Sequence, residues 1–128
     1  MIPEYEAWIG KTEVFYEQLS EVNTKRLYHT LNITDSPPSS GESVFPLALL
    51  ILGEPSVSSE EIGEDGHPVR GGFMPPISLK RRMFAGGEYE FHQPLQVGDE
   101  VRVTWCITDI IKKNGSSGEL IFVNIRRD

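Results

Sequence analysis

Residues 88–126 read EYEFHQPLQVGDEVRVTWCITDIIKKNGSSGELIFVNIR. From Glu88 to Val97 the odd positions Tyr89, Phe91, Leu95 and Val97 are apolar, and the even positions Glu88, Glu90, His92 and Gln96 are polar. Successive side chains of a strand point to opposite faces, so this pattern predicts a half-buried strand. Gly98-Asp99 then turns the chain. In Glu100 to Ile111, Val101, Val103, Trp105, Ile107 and Ile111 share one predicted face; Glu100, Arg102, Thr104 and Thr108 share the other. Asn114-Gly115 has the tolerance of positive φ that a tight hairpin demands. Glu119 to Arg126 is the predicted return strand, with Ile121, Val123 and Ile125 on one face and Leu120 and Phe122 on the other. A start that is apolar on both faces suits a place inside a sheet. Three antiparallel strands therefore occupy the last third of the chain.

Upstream, glycine (12) and proline (9) gather in clusters that separate the more regular pieces. The clusters are Ser36 to Gly41, Gly53 to Pro76, and Gly86-Gly87. Thr12 to Gln18, with Val14, Phe15 and Tyr16, reads as a short strand. Ser20 or Asn23 caps a helix running to about Leu31, with Leu27, Tyr28 and Leu31 at helical spacing. In Glu42 to Leu52, Ser43 is the expected N-cap and Pro46 fits only a first turn. Leu47 to Leu52 is apolar on every side and reads as a short helix buried all round, although periodicity alone also allows a buried strand. A sheet wrapped around one apolar helix needs this distribution of hydrophobicity, which is an α+β layout.

At 128 residues the chain fits one domain, 1–128, with one sizeable core. The net charge of −7 repels phosphate backbones on average and argues against a nucleic-acid partner. The single cysteine, Cys106, excludes an intrachain disulfide framework and fits a reducing cytosol; it reads as a small packed side chain. MIPEYEAWIG lacks the basic-then-apolar order of a secretion signal. The longest apolar run, Val44 to Leu52, is far short of the roughly 18 to 20 residues of a membrane span. A cytoplasmic protein without a membrane partner is expected. The acidic loop Glu60-Glu61-Ile62-Gly63-Glu64-Asp65 lacks the ligand spacing of a calcium loop, so it reads as solvated charge and no metal is expected.

Three stretches then carry a resemblance. They are Gly71-Gly72-Phe73-Met74-Pro75-Pro76, Lys80-Arg81-Arg82-Met83-Phe84-Ala85-Gly86-Gly87, and Glu90-Phe91-His92-Gln93-Pro94-Leu95-Gln96-Val97-Gly98-Asp99. Together with Trp8-Ile9-Gly10, Asp65-Gly66-His67-Pro68 and Phe122-Val123 they resemble the N-terminal hotdog domain of MaoC-like, fungal fatty-acid-synthase-like dehydratases. That group includes type-two 3-hydroxyacyl-thioester dehydratases and mesaconyl-CoA and itaconyl-CoA hydratases. The resemblance implies a hotdog fold, an antiparallel sheet around a central apolar helix. It also implies work in fatty-acid metabolism on acyl-CoA or other acyl thioesters, with coenzyme A entering as part of the substrate and no separate cofactor. Two departures stand out. The family's chemistry uses an Asp or Asn followed five positions later by a His, on the C-terminal hotdog of a pair. Here Thr24 precedes His29 at that distance, Ile62 precedes His67 and Gly87 precedes His92, so no catalytic residue is assigned. Family hotdogs also have a fifth strand, and this sequence stops at Asp128. A sheet short of that strand leaves backbone groups unpaired unless another chain supplies them, or else the sequence is shortened. The expected partner is a second hotdog domain, or a second copy in a homodimer.

Hydration of an enoyl thioester needs a base for water, an acid for the α-carbon and donors for the thioester carbonyl. The three histidines have ordinary readings: His29 near helix-terminal carbonyls, His67 in a turn, His92 solvated or at an interface. The sharper site reading is for substrate binding. Arg81 and Arg82, in the basic triplet that begins at Lys80, suit coenzyme A phosphates, against a reading as solvated loop charge. Met83 and Phe84 offer apolar surface, and Gly86 and Gly87 allow close backbone approach, against a reading as a packed loop. By the resemblance, the Phe84 position lines the acyl pocket, and His92 joins the binding set. Two further classes compete. One is a noncatalytic acyl-CoA-binding or scaffold protein. The other is an acyl-CoA thioesterase, disfavoured because Leu47 to Leu52 holds no acid and only Glu42 and Glu54 flank it.

Overall fold

The computed structural model describes residues 2–128. Its regular elements are β1 (Thr12–Gln18), α1 (Glu21–Thr30), β2 (Glu100–Gly115) and β3 (Gly118–Arg127), with 3-10 turns at Pro3–Trp8, Pro46–Ile51 and Ser59–Glu61. The sheet order is β1-β2-β3. Gly10 N–H donates to Ile107 O and Ile107 N–H to Lys11 O, while Leu19 N–H reaches Asp99 O, which makes β1 and β2 antiparallel. β2 and β3 are antiparallel too. The expected α+β layout without a last strand is present.

The described chain forms two compact units. The first holds, of the described residues, 2–14, 55–85 and 104–128; the second holds 15–54 and 86–103. Each has its own apolar cluster. In the first, Ile107 and Ile110 of β2 are completely buried beside Ile2 and Tyr5, with Phe73, Ile121, Val123 and Ile125 packed against them. Both isoleucines point inward although they are three residues apart. The register slips between Ile107 and Asp109, so Thr108 is an extra residue in the ladder. Such a bulge resets the alternation, and Asp109 Oδ1 accepts the Ile110 N–H at 2.8 Å beside it. The inward face therefore continues through Ile110 rather than the expected Ile111.

The hairpin also differs from expectation. Asn114 pairs with Glu119 and Gly115 with Gly118, so Ser116-Ser117 is the two-residue turn and Asn114-Gly115 lies in the strand. Gly118, at φ 123°, absorbs the left-handed step. β3 ends the sheet order, with one edge unpaired among the described residues. Leu120 on its outer face is 43% exposed.

In the second unit, α1 begins where Ser20 Oγ accepts the Asn23 N–H at 3.0 Å, which settles the cap in favour of Ser20. Thr24, buried, satisfies its hydroxyl by donating to Ser20 O. The helix ends in a Schellman arrangement: Asn32 adopts φ 53°, Ile33 N–H reaches Tyr28 O and Asn32 N–H reaches His29 O. Pro46–Ile51 is a 3-10 turn, and its N-cap is Phe45 without a side-chain bond, not Ser43. Three residues per turn stack i on i+3. Ala48 is thus buried while Leu47 and Leu50 remain exposed, so this segment is apolar all round but not buried all round. It packs on Leu19, Val44, Leu52 and Val97, with Val101 and Val103 of β2 against them. Gly53 follows at φ 69°, its backbone so close to Val103 that a Cβ would sit 2.7 Å from that side chain.

The expected strand from Glu88 to Val97 is not formed. Only its end is held: Val44 N–H donates to Leu95 O, Val97 N–H to Glu42 O and Gly41 N–H to Val97 O. A strand exists by virtue of a ladder partner, and Gly86 to Gln93 has none among the described residues.

Candidate functional site

The basic triplet divides by environment. Lys80 and Arg81 are exposed. Arg82 is half-buried, its Nε 3.5 Å from Asp65 Oδ2. Asp65 in turn accepts the His67 N–H at 3.1 Å. That backbone bond, partly opposed by desolvation and then aided by the Arg82 charge, holds the Asp65 carboxyl below the usual carboxylate range. One guanidinium nitrogen of Arg82, Nη2, is buried with no acceptor among the described residues. Arg70 donates to both Ile77 O and Leu79 O, which pins the chain just ahead of Lys80. Trp8 Nε1 and Lys11 Nζ both donate to Gly72 O, and Phe73 meets Trp105 edge-on at 5.8 Å. The Gly71-Gly72 loop is therefore held by side chains 64 and 61 residues away in sequence, and the approach to the triplet by the nearby Arg70.

Arginine 82 thus faces its own loop, and Met83 and Phe84 face outward, 87% and 81% exposed. Nothing lies within 4 Å of a Cβ built on Gly86. In the second unit, Phe91, His92, Gln93, Pro94 and Leu95 line a groove of about 250 Å³ against Pro46 and Leu49. His92 Nε2 lies 3.8 Å from Glu90 Oε1, both side chains mostly in solvent. A carboxylate and imidazole so exposed interact weakly, screened by water. His29 sits in the last turn of α1. Glu42 Oε1 accepts the Ser39 N–H, and Glu17 Oε2 accepts the Gly53 N–H at 2.7 Å. Among the described residues no group of three or more His, Cys, Asp or Glu side chains is placed to hold a metal ion. No helix there is long and apolar enough to cross a membrane.

The sequence pointed to the triplet but not to the partners of its neighbours. Asp65–Arg82 and Arg70 with its two carbonyls connect loops of irregular backbone, where no periodicity marks which side chain meets which. The Asp65-Gly66-His67 turn was the one usable local signal, since an Asp two residues before a backbone N–H often folds back on it.

The α+β layout with a three-stranded antiparallel sheet is that of a hotdog fold lacking its last strand. The family model for hydroxyacyl-thioester dehydratase type 2 matches residues 48–128, more than half of the chain, and the chain belongs to that family. It is 36% identical over 122 residues to a mesaconyl-C(4)-CoA hydratase of Chloroflexus aurantiacus. That match covers 95% of this chain and 44% of the relative, so the chain spans less than half the length of the curated protein it matches. The chain is a hotdog domain of that family.

Proposed function

We propose that this chain is one half of an acyl-CoA hydratase/dehydratase: it shapes the acyl and coenzyme A pocket, and a partner hotdog carries the Asp/Asn–His dyad. The observation that carries the reading is the pairing of two facts. The chain matches less than half of a hydratase of the same family, and none of its three histidines has an Asp or Asn five positions earlier. The exposed Arg81 offers a guanidinium to a phosphate, and Met83 and Phe84 offer apolar surface for an acyl chain. The free edge of β3 is where a further strand, from the partner or from additional sequence, completes the sheet. A cytoplasmic location suits a coenzyme A substrate.

The test is reconstitution. The purified chain is mixed with a dyad-bearing hotdog of the same family, and disappearance of crotonyl-CoA or mesaconyl-CoA is followed. Activity is expected only in the mixture. Arg81→Ala and Phe84→Ser are expected to raise KM several-fold and leave kcat nearly unchanged, as removal of uniform binding does. A mixture that binds acyl-CoA but never turns it over supports the scaffold reading instead.

A further inference from the structure

We propose, resting on the acyl-CoA reading, that Asp65 is a positioning residue for thioester binding: its carboxylate clasps Arg82 inward, so that Arg81 is the arginine presented to coenzyme A phosphates and Met83 and Phe84 stay turned outward. Asp65 stands on a fixed turn. Gly63 N–H donates to His67 O at 2.7 Å, Gly66 N–H to Gly63 O at 3.0 Å and Val69 N–H to Glu61 O at 2.8 Å. Gly66 takes the left-handed step at φ 78°, and Asp65 Oδ1 accepts the His67 N–H at 3.1 Å. The other carboxylate oxygen, Oδ2, is left to Arg82 Nε, 3.5 Å away. Ahead of the triplet, Arg70 donates to Ile77 O and Leu79 O and fixes the chain that delivers Arg82. Both ends of the clasp are therefore set before a ligand arrives.

The surroundings of Arg82 show what its partner does. Its Nη2 is buried and has no acceptor among the described residues. Burying a charged group with an unpaired N–H is costly, and a nearby counter-charge is what offsets that cost. The ion pair that Arg82 makes among the described residues is with Asp65. Without that carboxylate charge, water is the better place for the guanidinium, and Arg82 turns outward beside Arg81. The chain beyond it has little else to hold it. From Lys80 to Gly87 no backbone group bonds to another among the described residues. Met83 and Phe84 are exposed, and nothing lies within 4 Å of a Cβ built on Gly86. The direction of Arg82, and with it the course of the segment that offers Arg81, Met83 and Phe84, is thus decided by Asp65.

The experiment takes Asp65→Asn, Arg82→Gln, their double variant and Arg81→Gln, each mixed with a dyad-bearing hotdog, and follows KM and kcat for crotonyl-CoA over a range of salt concentrations. Asparagine still accepts the His67 N–H, so Asp65→Asn removes the charge and spares the turn, and His67 amide exchange is expected to match that of the native chain. Asp65→Asn and Arg82→Gln are each expected to raise KM several-fold with kcat within about twofold of native. The double variant is expected to be no worse than either single, because both break one contact. Arg81→Gln is expected to flatten the salt dependence of KM, and Arg82→Gln to leave it unchanged, since screening weakens only a charge that meets the phosphates. In the chain alone, NMR relaxation is expected to find the Arg82 Nε–H ordered, and in Asp65→Asn as mobile as that of Arg81. A KM that falls in Asp65→Asn would mean that Arg82 itself binds phosphate in competition with Asp65, and would overturn the proposal. Additive losses in the double variant, a flattened salt dependence in Arg82→Gln, or an Arg82 side chain equally ordered with and without the Asp65 charge would overturn it too. Absence of turnover from every mixture would instead end the hydratase reading. Calorimetry with coenzyme A then reads the same variants in the same mixtures, with the same order of affinities expected, and no binding at all would overturn both.

Discussion

The β2–β3 hairpin and the Gly86–Gln93 segment make an instructive pair. The hairpin is joined by a continuous register from Trp105↔Arg127 to Gly115↔Gly118, and its inward face holds the fully buried Ile107 and Ile110. The Gly86–Gln93 segment has the same alternation, the same taste for aromatic residues, and no ladder among the described residues. Its apolar face, Tyr89 and Phe91, remains about half in water. Alternation therefore marks which residues are able to form a strand, and the presence of a hydrogen-bonding neighbour decides whether they do.

The sharpest way to break this comparison is to remove apolar side chains from both regions. Ile110→Ala is expected to cost about 2–5 kcal/mol, because it leaves a cavity in a closed core. Phe91→Ala is expected to change unfolding of the monomer by no more than about 0.5 kcal/mol, as for a surface position. Urea unfolding at low protein concentration reads both, and equal losses would abolish the distinction.

A smaller effect sits inside the second unit, where Gly53 meets Val103. Gly53→Ala places a methyl 2.7 Å from the Val103 side chain at a positive φ, and overpacking of this kind costs about 1–3 kcal/mol. Val103→Ala in the same chain is expected to relieve part of that loss, so the double variant should fall short of the sum of the singles. Ser20→Ala, which removes the α1 cap, is expected to cost about 1 kcal/mol in thermal unfolding. Recovery by Ser20→Asp but not by Ser20→Val would assign the loss to the cap.

The smallest effect is a pH dependence in the hairpin. The hydrogen bond from Lys112 to Glu119, and then the Glu119 charge, raise the Lys112 pKa. A raised lysine pKa means that the pair's support is complete below the ordinary lysine value and is lost as pH rises through the folded value. The melting difference between the native chain and Glu119→Gln is therefore expected to be largest near neutrality and to shrink in strong alkali. A difference that grows with pH would contradict the assignment.

Much of the fold was legible in local pattern. Thr12–Gln18, the helix opening at Ser20 or Asn23 and the two C-terminal strands follow from residue type and spacing, because each is governed by near neighbours. The elements that were misread depend on partners distant in sequence. The bulge at Thr108 exists to keep Ile110 inward, and no local signal in Thr108 announces it. Leu47–Leu52 is uniformly apolar, and only its packing on Leu19 and Val97 shows which column of side chains is covered. Glu88–Gln93 has strand chemistry but lacks a neighbour. For the site, Lys80 to Gly87 stood out by charge and glycine content. The inward turn of Arg82 toward Asp65 did not, since it joins two irregular loops across the sequence.

The most direct test of the account is turnover by the chain alone. Purified protein, without any partner, is incubated with mesaconyl-CoA and with crotonyl-CoA, and water addition is followed to completion. The account expects no rate above the uncatalysed background from this half alone, and a rate that appears on adding a dyad-bearing hotdog. Sustained hydration by the isolated chain would mean that its own side chains supply the base and acid, and would contradict the assignment of that chemistry to a partner.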